Sequence, residues 1–164
     1  MTAQVPDIII YRGRRYPLLS NPLEAYWKEH PPRPHFKPLH TANWRGYVAE
    51  WLIKSGALYL AGLRARIDNS YGERKEMGLR DLFPDAGGQI QASWFSGELR
   101  IPQGKQVKYV HMGYDSTYEK ELILTIEEGK VVRSHSIRNL DPGASHTEGW
   151  LRKALEWFNS KFSR

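Results

Sequence analysis

The 164-residue chain contains no cysteine, which excludes disulfides, thiolate metal sites and thiol nucleophiles. A chain without disulfides suits a reducing compartment, and the expected location is the cytosol. No apolar run approaches the roughly 18 residues needed to span a bilayer. The opening Met1-Thr2-Ala3-Gln4-Val5-Pro6 has neither a charged stretch nor a long apolar one, so neither membrane insertion nor export is expected. The six histidines, at 30, 35, 40, 111, 135 and 146, include no H-x-H and no i, i+4 helical pair. His30, His35 and His40 lie in and around a proline-rich strap, where His35 and His40 could meet, but without acidic or cysteine partners nearby no metal site is expected. Gly87-Gly88 lacks the lysine of a phosphate loop, and no G-x-S-x-G elbow frames a serine. No cofactor is implied.

Basic charge is in modest excess. The net charge is +6, and it is uneven: residues 1–43 carry six Lys/Arg against three acids, residues 44–129 eleven against twelve, and residues 130–164 seven against three. The ends are basic and the middle is balanced. No block of five like charges occurs, so most of this excess reads as solubilising charge on outward faces. The tightest basic cluster is Tyr11-Arg12-Gly13-Arg14-Arg15-Tyr16, where rings that could stack on bases interleave with cations that could hold phosphates. An edge hairpin guarded by arginines has the same pattern.

Aromatic residues at strand spacing dominate the rest. Trp44-Arg45-Gly46-Tyr47-Val48-Ala49-Glu50-Trp51 and Trp94-Phe95-Ser96-Gly97-Glu98-Leu99 imply a β-rich core. Residues 7–11 and 14–18 read as an opening hairpin turning at Arg12-Gly13. Asn21, Pro22 and Glu24 are an N-cap, an N1 proline and a capping-box acid, predicting a helix over 22–29. Four prolines between 31 and 38 make that stretch an extended connector. A second hairpin is expected from 44–53 and 57–60 across Ser55-Gly56, with Tyr47, Ala49, Trp51 and Ile53 on one face. Gly46 marks a bulge or a close backbone approach. Residues 64–89 read as a surface excursion with one helical turn at Leu79, Leu82 and Phe83.

Further strands are expected at 90–95, 99–101 and 107–111, with Pro102-Gln103-Gly104 as a turn. A last hairpin joins 118–126 to 130–137. Ser145-His146-Thr147-Glu148 is a capping box, and Leu151, Ala154, Leu155, Phe158 and Phe162, widened by Trp150 and Trp157, form an amphipathic stripe over 147–162. The expected fold is therefore one α+β domain over 1–164. It has a mainly antiparallel sheet of eight or nine strands, a short N-terminal helix, and an amphipathic C-terminal helix packed on the sheet.

The densest polar segment is His111-Met112-Gly113-Tyr114-Asp115-Ser116-Thr117-Tyr118-Glu119, between two expected strands. A histidine with Asp115 or Glu119 to orient it could act as a base, and Ser116 as a nucleophile. The same tyrosines, histidine and acids could instead form a recognition surface with Arg45, whose fork suits a partner's carboxylate.

The succession SNPLEAYW (20–27), TANWRGYVAEWLIKSGALYL (41–60), SWFSGELRIPQG (93–104) and HMGYDSTYEKELILTIEEGKVV (111–132) resembles a family of small bacterial proteins that share a short N-terminal hairpin and a WRGY-type strand. The resemblance spans about residues 8–132 and implies no reaction, cofactor or catalytic residue. By analogy with small, motif-poor bacterial proteins it implies a non-catalytic, immunity-like binder that neutralises a toxin or another protein partner. Its expected recognition residues are Arg45, His111, Tyr114, Asp115, Tyr118 and Glu119. The alternatives are a small enzyme using an acid-base loop at 111–119 and a nucleic-acid-binding module using Arg12, Arg14 and Arg15. No membrane partner is expected.

Overall fold

The fold was analysed in a computed structural model that describes residues 4–108, 114, 116–139, 156, 157 and 159. β1 (Asp7–Tyr11) and β2 (Arg14–Leu18) form the opening hairpin, and α1 (Pro22–Glu29) follows. Next come β3 (Tyr47–Lys54), β4 (Ala57–Asp68), β5 (Arg74–Gly78), the single turn α2 (Leu79–Leu82) and β6 (Ile90–Gln91). β7 (Gly97–Lys108), β8 (Thr117–Glu127) and β9 (Lys130–Arg138) complete the described strands.

All nine strands belong to one sheet, with β2-β1-β3-β4-β9-β8-β7 as its main path and β5 and β6 paired to β4. β1 runs parallel to β3, with Ile9 opposite Trp51, and the other pairings are antiparallel. The parallel pair follows from chain length: α1 and the 31–38 strap carry the chain back far enough for β3 to start beside β1 in the same direction. The two ends of the path then meet. Leu19 N donates to Arg100 O at 2.9 Å, and Ser20 Oγ donates to Glu98 O at 3.1 Å, so β2 lies against β7 and the sheet curls around its core.

That core draws on almost every strand. Ile9, Leu18, Trp51, Leu58, Leu60, Leu99, Ile101, Leu122 and Leu124 pack into one buried cluster with Leu23 and Trp27 of α1. Alternation places Tyr47, Ala49 and Trp51 on this side, while Val48 joins Val5 and Ile8 in a second cluster behind the sheet. Burying a side chain of this size contributes about 1.5–3 kcal/mol. Rings knit α1 to the loops: Tyr26 meets Phe83 at 5.0 Å and Trp94 at 4.9 Å, both edge-on.

Several sequence expectations are corrected. The class is not α+β: among the described residues strands take 51% and helices 11%, with two helices, and the nine-stranded sheet is mixed. Among the described residues no amphipathic C-terminal helix is packed on the sheet. The physical reason is the curl, which lets the sheet bury its own inner face with help from α1. The stripe Leu151, Leu155, Phe158 and Phe162 and the capping box at 145–148 lie outside the described residues. Trp157 is described, half-buried and edge-on to His40 at 5.3 Å.

The Pro102-Gln103-Gly104 turn is instead the interior of β7, where the register against β8 shifts between Gln103 and Gln106. Pro102 is tolerated because, like Arg100 two residues before it, whose carbonyl accepts from Leu19 N, it turns its backbone groups away from β8, so the missing N–H is not needed in that ladder. The strand expected at 90–95 shortens to β6, and Trp94 sits in the following turn with its Nε1 donating to Pro22 O at 3.0 Å. The excursion at 64–89 contains the end of β4 and all of β5.

Gly46 lies one residue before β3 and makes the close approach that its position suggested. Its φ is +78°, and a Cβ there would fall 2.5 Å from the Phe36 Cβ and 2.7 Å from Lys37 O. No helix among the described residues is long and apolar enough to cross a membrane.

Candidate functional site

The structure brings Arg45 and Tyr114, two of the expected recognition residues, to one place. Arg45 lies in the turn before β3, Tyr114 in the segment before β8, and Asn21 at the start of α1. The Tyr114 hydroxyl donates to Asn21 Oδ1 at 2.9 Å and accepts from Arg45 Nη1 at 2.9 Å. Arg45 Nη1 also donates to Asn21 Oδ1. Asn21 therefore does not cap α1 through its side chain, and that oxygen serves the arginine and tyrosine instead.

The carboxylate that Arg45 binds is Asp7, at the start of β1, with 0% exposure. Arg45 Nη2 reaches Asp7 Oδ1 at 3.0 Å and Val5 O at 3.1 Å. Ala49 N donates to the same Asp7 oxygen at 3.1 Å, and Trp51 Nε1 donates to Oδ2 at 3.0 Å. Three N–H donors and no acceptor face Asp7, so the ionised form is the one these partners satisfy. Burial still holds its carboxyl above the ordinary value, against the Arg45 charge and these bonds. Burial works to lower Arg45, but the Asp7 charge together with the Tyr114 and Tyr47 hydroxyls outweighs it, and the guanidinium is held more firmly protonated than usual. The Tyr114 phenol is pushed up to about 12, mainly by burial.

A second ring of contacts extends from this pair. Arg45 lies over the Tyr47 ring at 4.9 Å, and the Tyr47 hydroxyl donates to Glu24 Oε1 at 2.8 Å. Arg33, from the proline strap, grips both Glu24 oxygens at 3.2 and 3.1 Å and donates to Arg45 O at 3.2 Å. Glu24, expected as a capping-box acid, thus ties α1 to the strap and β3. Burial tends to raise its carboxyl, but the bonds from Arg33 and Tyr47 and the Arg33 charge prevail and hold it below the ordinary range.

A separate cluster fixes the end of β8. Arg100 on β7 donates to Tyr114 O, Ser116 O and the Glu121 carboxylate. Asn139 Nδ2 bridges Glu121 Oε2 at 3.1 Å and Tyr118 O at 2.9 Å. Tyr118 is buried, with its hydroxyl unbonded, whereas Glu119 is exposed on the other side and accepts from Lys105 N at 3.2 Å. His111 and Asp115 lie outside the described residues.

In the opening hairpin, Arg15 pairs with Glu50 at 2.7 Å and Arg12 sits 5.3 Å from the Tyr11 ring, while Arg12 and Arg14 are exposed. Among the described residues no group of three His, Cys, Asp or Glu is placed to hold a metal ion. Sequence reading missed Asp7 altogether. Its only signal was an acid opening a β-branched strand, a pattern shared with any solvated strand end. No protein-family model, curated protein or solved structure matches the chain.

Proposed function

We propose that the protein is a non-catalytic binding module for another polypeptide, with β9 as its contact strand. The observation that supports this reading is the exposure of β9 on both of its faces. Val132 is 52% exposed and Ile137 40%, whereas Leu122, Leu124 and Ile126 of the paired β8 are buried. Exposed β-branched side chains on an outlying strand offer apolar area that a partner can cover. An immunity-like role, in which the partner is a toxin, is one form of this reading, and the net charge of +6 suits an acidic partner surface.

The buried Arg45 network supports the reading from the other side, because its charged groups are engaged with one another and serve to hold the scaffold. The test is recovery of partners from host extract by the tagged full chain and by Val132→Ser/Ile137→Ser. Loss of recovery in a variant that keeps its melting temperature is expected. Equal recovery by both proteins, or none by either, overturns the reading.

A further inference from the structure

β9 leaves the sheet's shelter for a geometric reason. Its only described neighbour besides β8 is the start of β4, through the pair Ala57 and Lys130, and Val131 N donates to Gly56 O at 2.9 Å. Antiparallel to β4, β9 then runs on past the Ser55-Gly56 turn, where the β3–β4 hairpin ends. Beyond Val131 no described residue pairs with that edge.

The direction of the free backbone groups follows from the β8 register. Asn139 N donates to Glu119 O at 2.9 Å, and the pairing is regular from Lys120 and Arg138 back to Thr125 and Arg133. In an antiparallel ladder each residue turns both backbone groups toward the same neighbour, and successive residues alternate. Arg138, Ser136 and Ser134 therefore turn their N–H and C=O groups away from β8. Three residues whose donors and acceptors are unpaired among the described residues form a template for one more strand.

The charge on this edge selects the partner. β9 carries Lys130, Arg133 and Arg138 and no acid. Lys130 faces Glu127 across the hairpin, but Arg133 faces Thr125 and Arg138 faces Lys120. Neither arginine forms an ion pair among the described residues. A second copy of the chain would bring a strand of the same sign, and like charges on adjoining strands repel. The two arginines are five positions apart, an odd spacing that puts them on opposite faces of the strand.

Resting on the binding-module reading, we infer that β9 recognises an acidic, extended segment of its partner, which adds to the sheet as a further strand through the edge at Ser134, Ser136 and Arg138. Backbone bonds supply the register, and acids five residues apart on the incoming strand answer Arg133 and Arg138 from the two faces.

The probe is a nine-residue peptide of alternating Thr and Val with Glu at its second and seventh positions, added to the full chain. Amide hydrogen exchange should slow at Ser134, Ser136 and Arg138. Fluorescence anisotropy should give at least tenfold weaker binding for the same peptide with Lys at both positions, or with Pro at its centre. The Arg133→Glu/Arg138→Glu variant should prefer the Lys peptide. The inference is overturned by equal affinity for Glu and Lys peptides, by binding without added protection, or by amides already protected in the free chain. Self-association that protects the same amides overturns it too, in favour of a second copy as occupant. If the peptide fails while Val132→Ser/Ile137→Ser still loses its partner, the acidic-strand inference falls and the binding module stands.

Discussion

Asp7 and Arg45, 38 positions apart in sequence, form an ion pair at 3.0 Å in which the carboxylate is wholly buried. The pair bonds the start of β1 to the turn before β3, and Tyr114 and Asn21 close around the guanidinium. The fork that suits a partner's carboxylate is filled by a carboxylate of its own chain.

Removing one half of this pair should destabilise strongly. Asp7→Ala leaves Arg45 without its counter-charge and Ala49 N and Trp51 Nε1 without their acceptor, and breaking a buried pair in this way costs about 3–5 kcal/mol. The double variant Asp7→Leu/Arg45→Met should recover much of that loss. Urea unfolding of the three proteins checks both statements, and a cost below about 1 kcal/mol for Asp7→Ala would contradict the buried pair.

The two tyrosines of the 111–119 segment should respond oppositely to loss of the hydroxyl. Tyr114→Phe removes bonds to Arg45 and Asn21 and should cost about 1–3 kcal/mol, since one bond is to a charge. The Tyr118 hydroxyl is buried without a partner, so Tyr118→Phe should be neutral or stabilising. Thermal unfolding of both variants separates the roles.

Gly46 and Gly13 share nearly the same backbone angle, φ +78° and +76°, but differ in surroundings. A Cβ at Gly13 meets nothing within 4 Å, whereas one at Gly46 strikes Phe36 and the strap backbone. Gly13→Ala should cost about 1 kcal/mol of backbone strain. Gly46→Ala should cost a further 1–3 kcal/mol or so, because the strap must shift. Equal melting temperatures for the two variants would rule out the close approach.

Glu24 should contribute to acid sensitivity. Its carboxyl is held below the ordinary value of 4.5, so the folded state binds its proton at lower pH than the unfolded state does. The stabilisation is fully present above that value and is lost as pH falls through the lowered folded value. Glu24→Gln should therefore be less stable than the native chain at neutral pH, and the gap should narrow as pH falls below the ordinary carboxyl value of 4.5. Denaturant midpoints measured from pH 7 to pH 3 test this, and a gap constant with pH would contradict it.

Local signals carried the elements whose physics is local. The opening hairpin, α1 behind its N1 proline Pro22 and the Glu128-Gly129 hairpin follow from turn residues, the helix-starting proline and alternation within a few positions, and all three form although Asn21 does not cap α1 through its side chain. The burial of Tyr47, Ala49 and Trp51 on one side was legible for the same reason. Pro102 misled because a proline near a glycine reads as a turn unless its missing N–H faces away from the partner strand, and only the register of β7 against β8 shows that it does. Arg45 and Tyr114 were legible as residue types with binding chemistry. Their partner Asp7 was not, because ion pairing across 38 positions has no sequence period. Composition and alternation determined that the chain would bury aromatic strands in a β-rich core. Tertiary structure decided that the sheet curls until β2 meets β7, that Arg45 is satisfied internally, and that β9 runs beyond its neighbours. Each of these depends on which distant strands meet, and that is settled by the packing of the whole core.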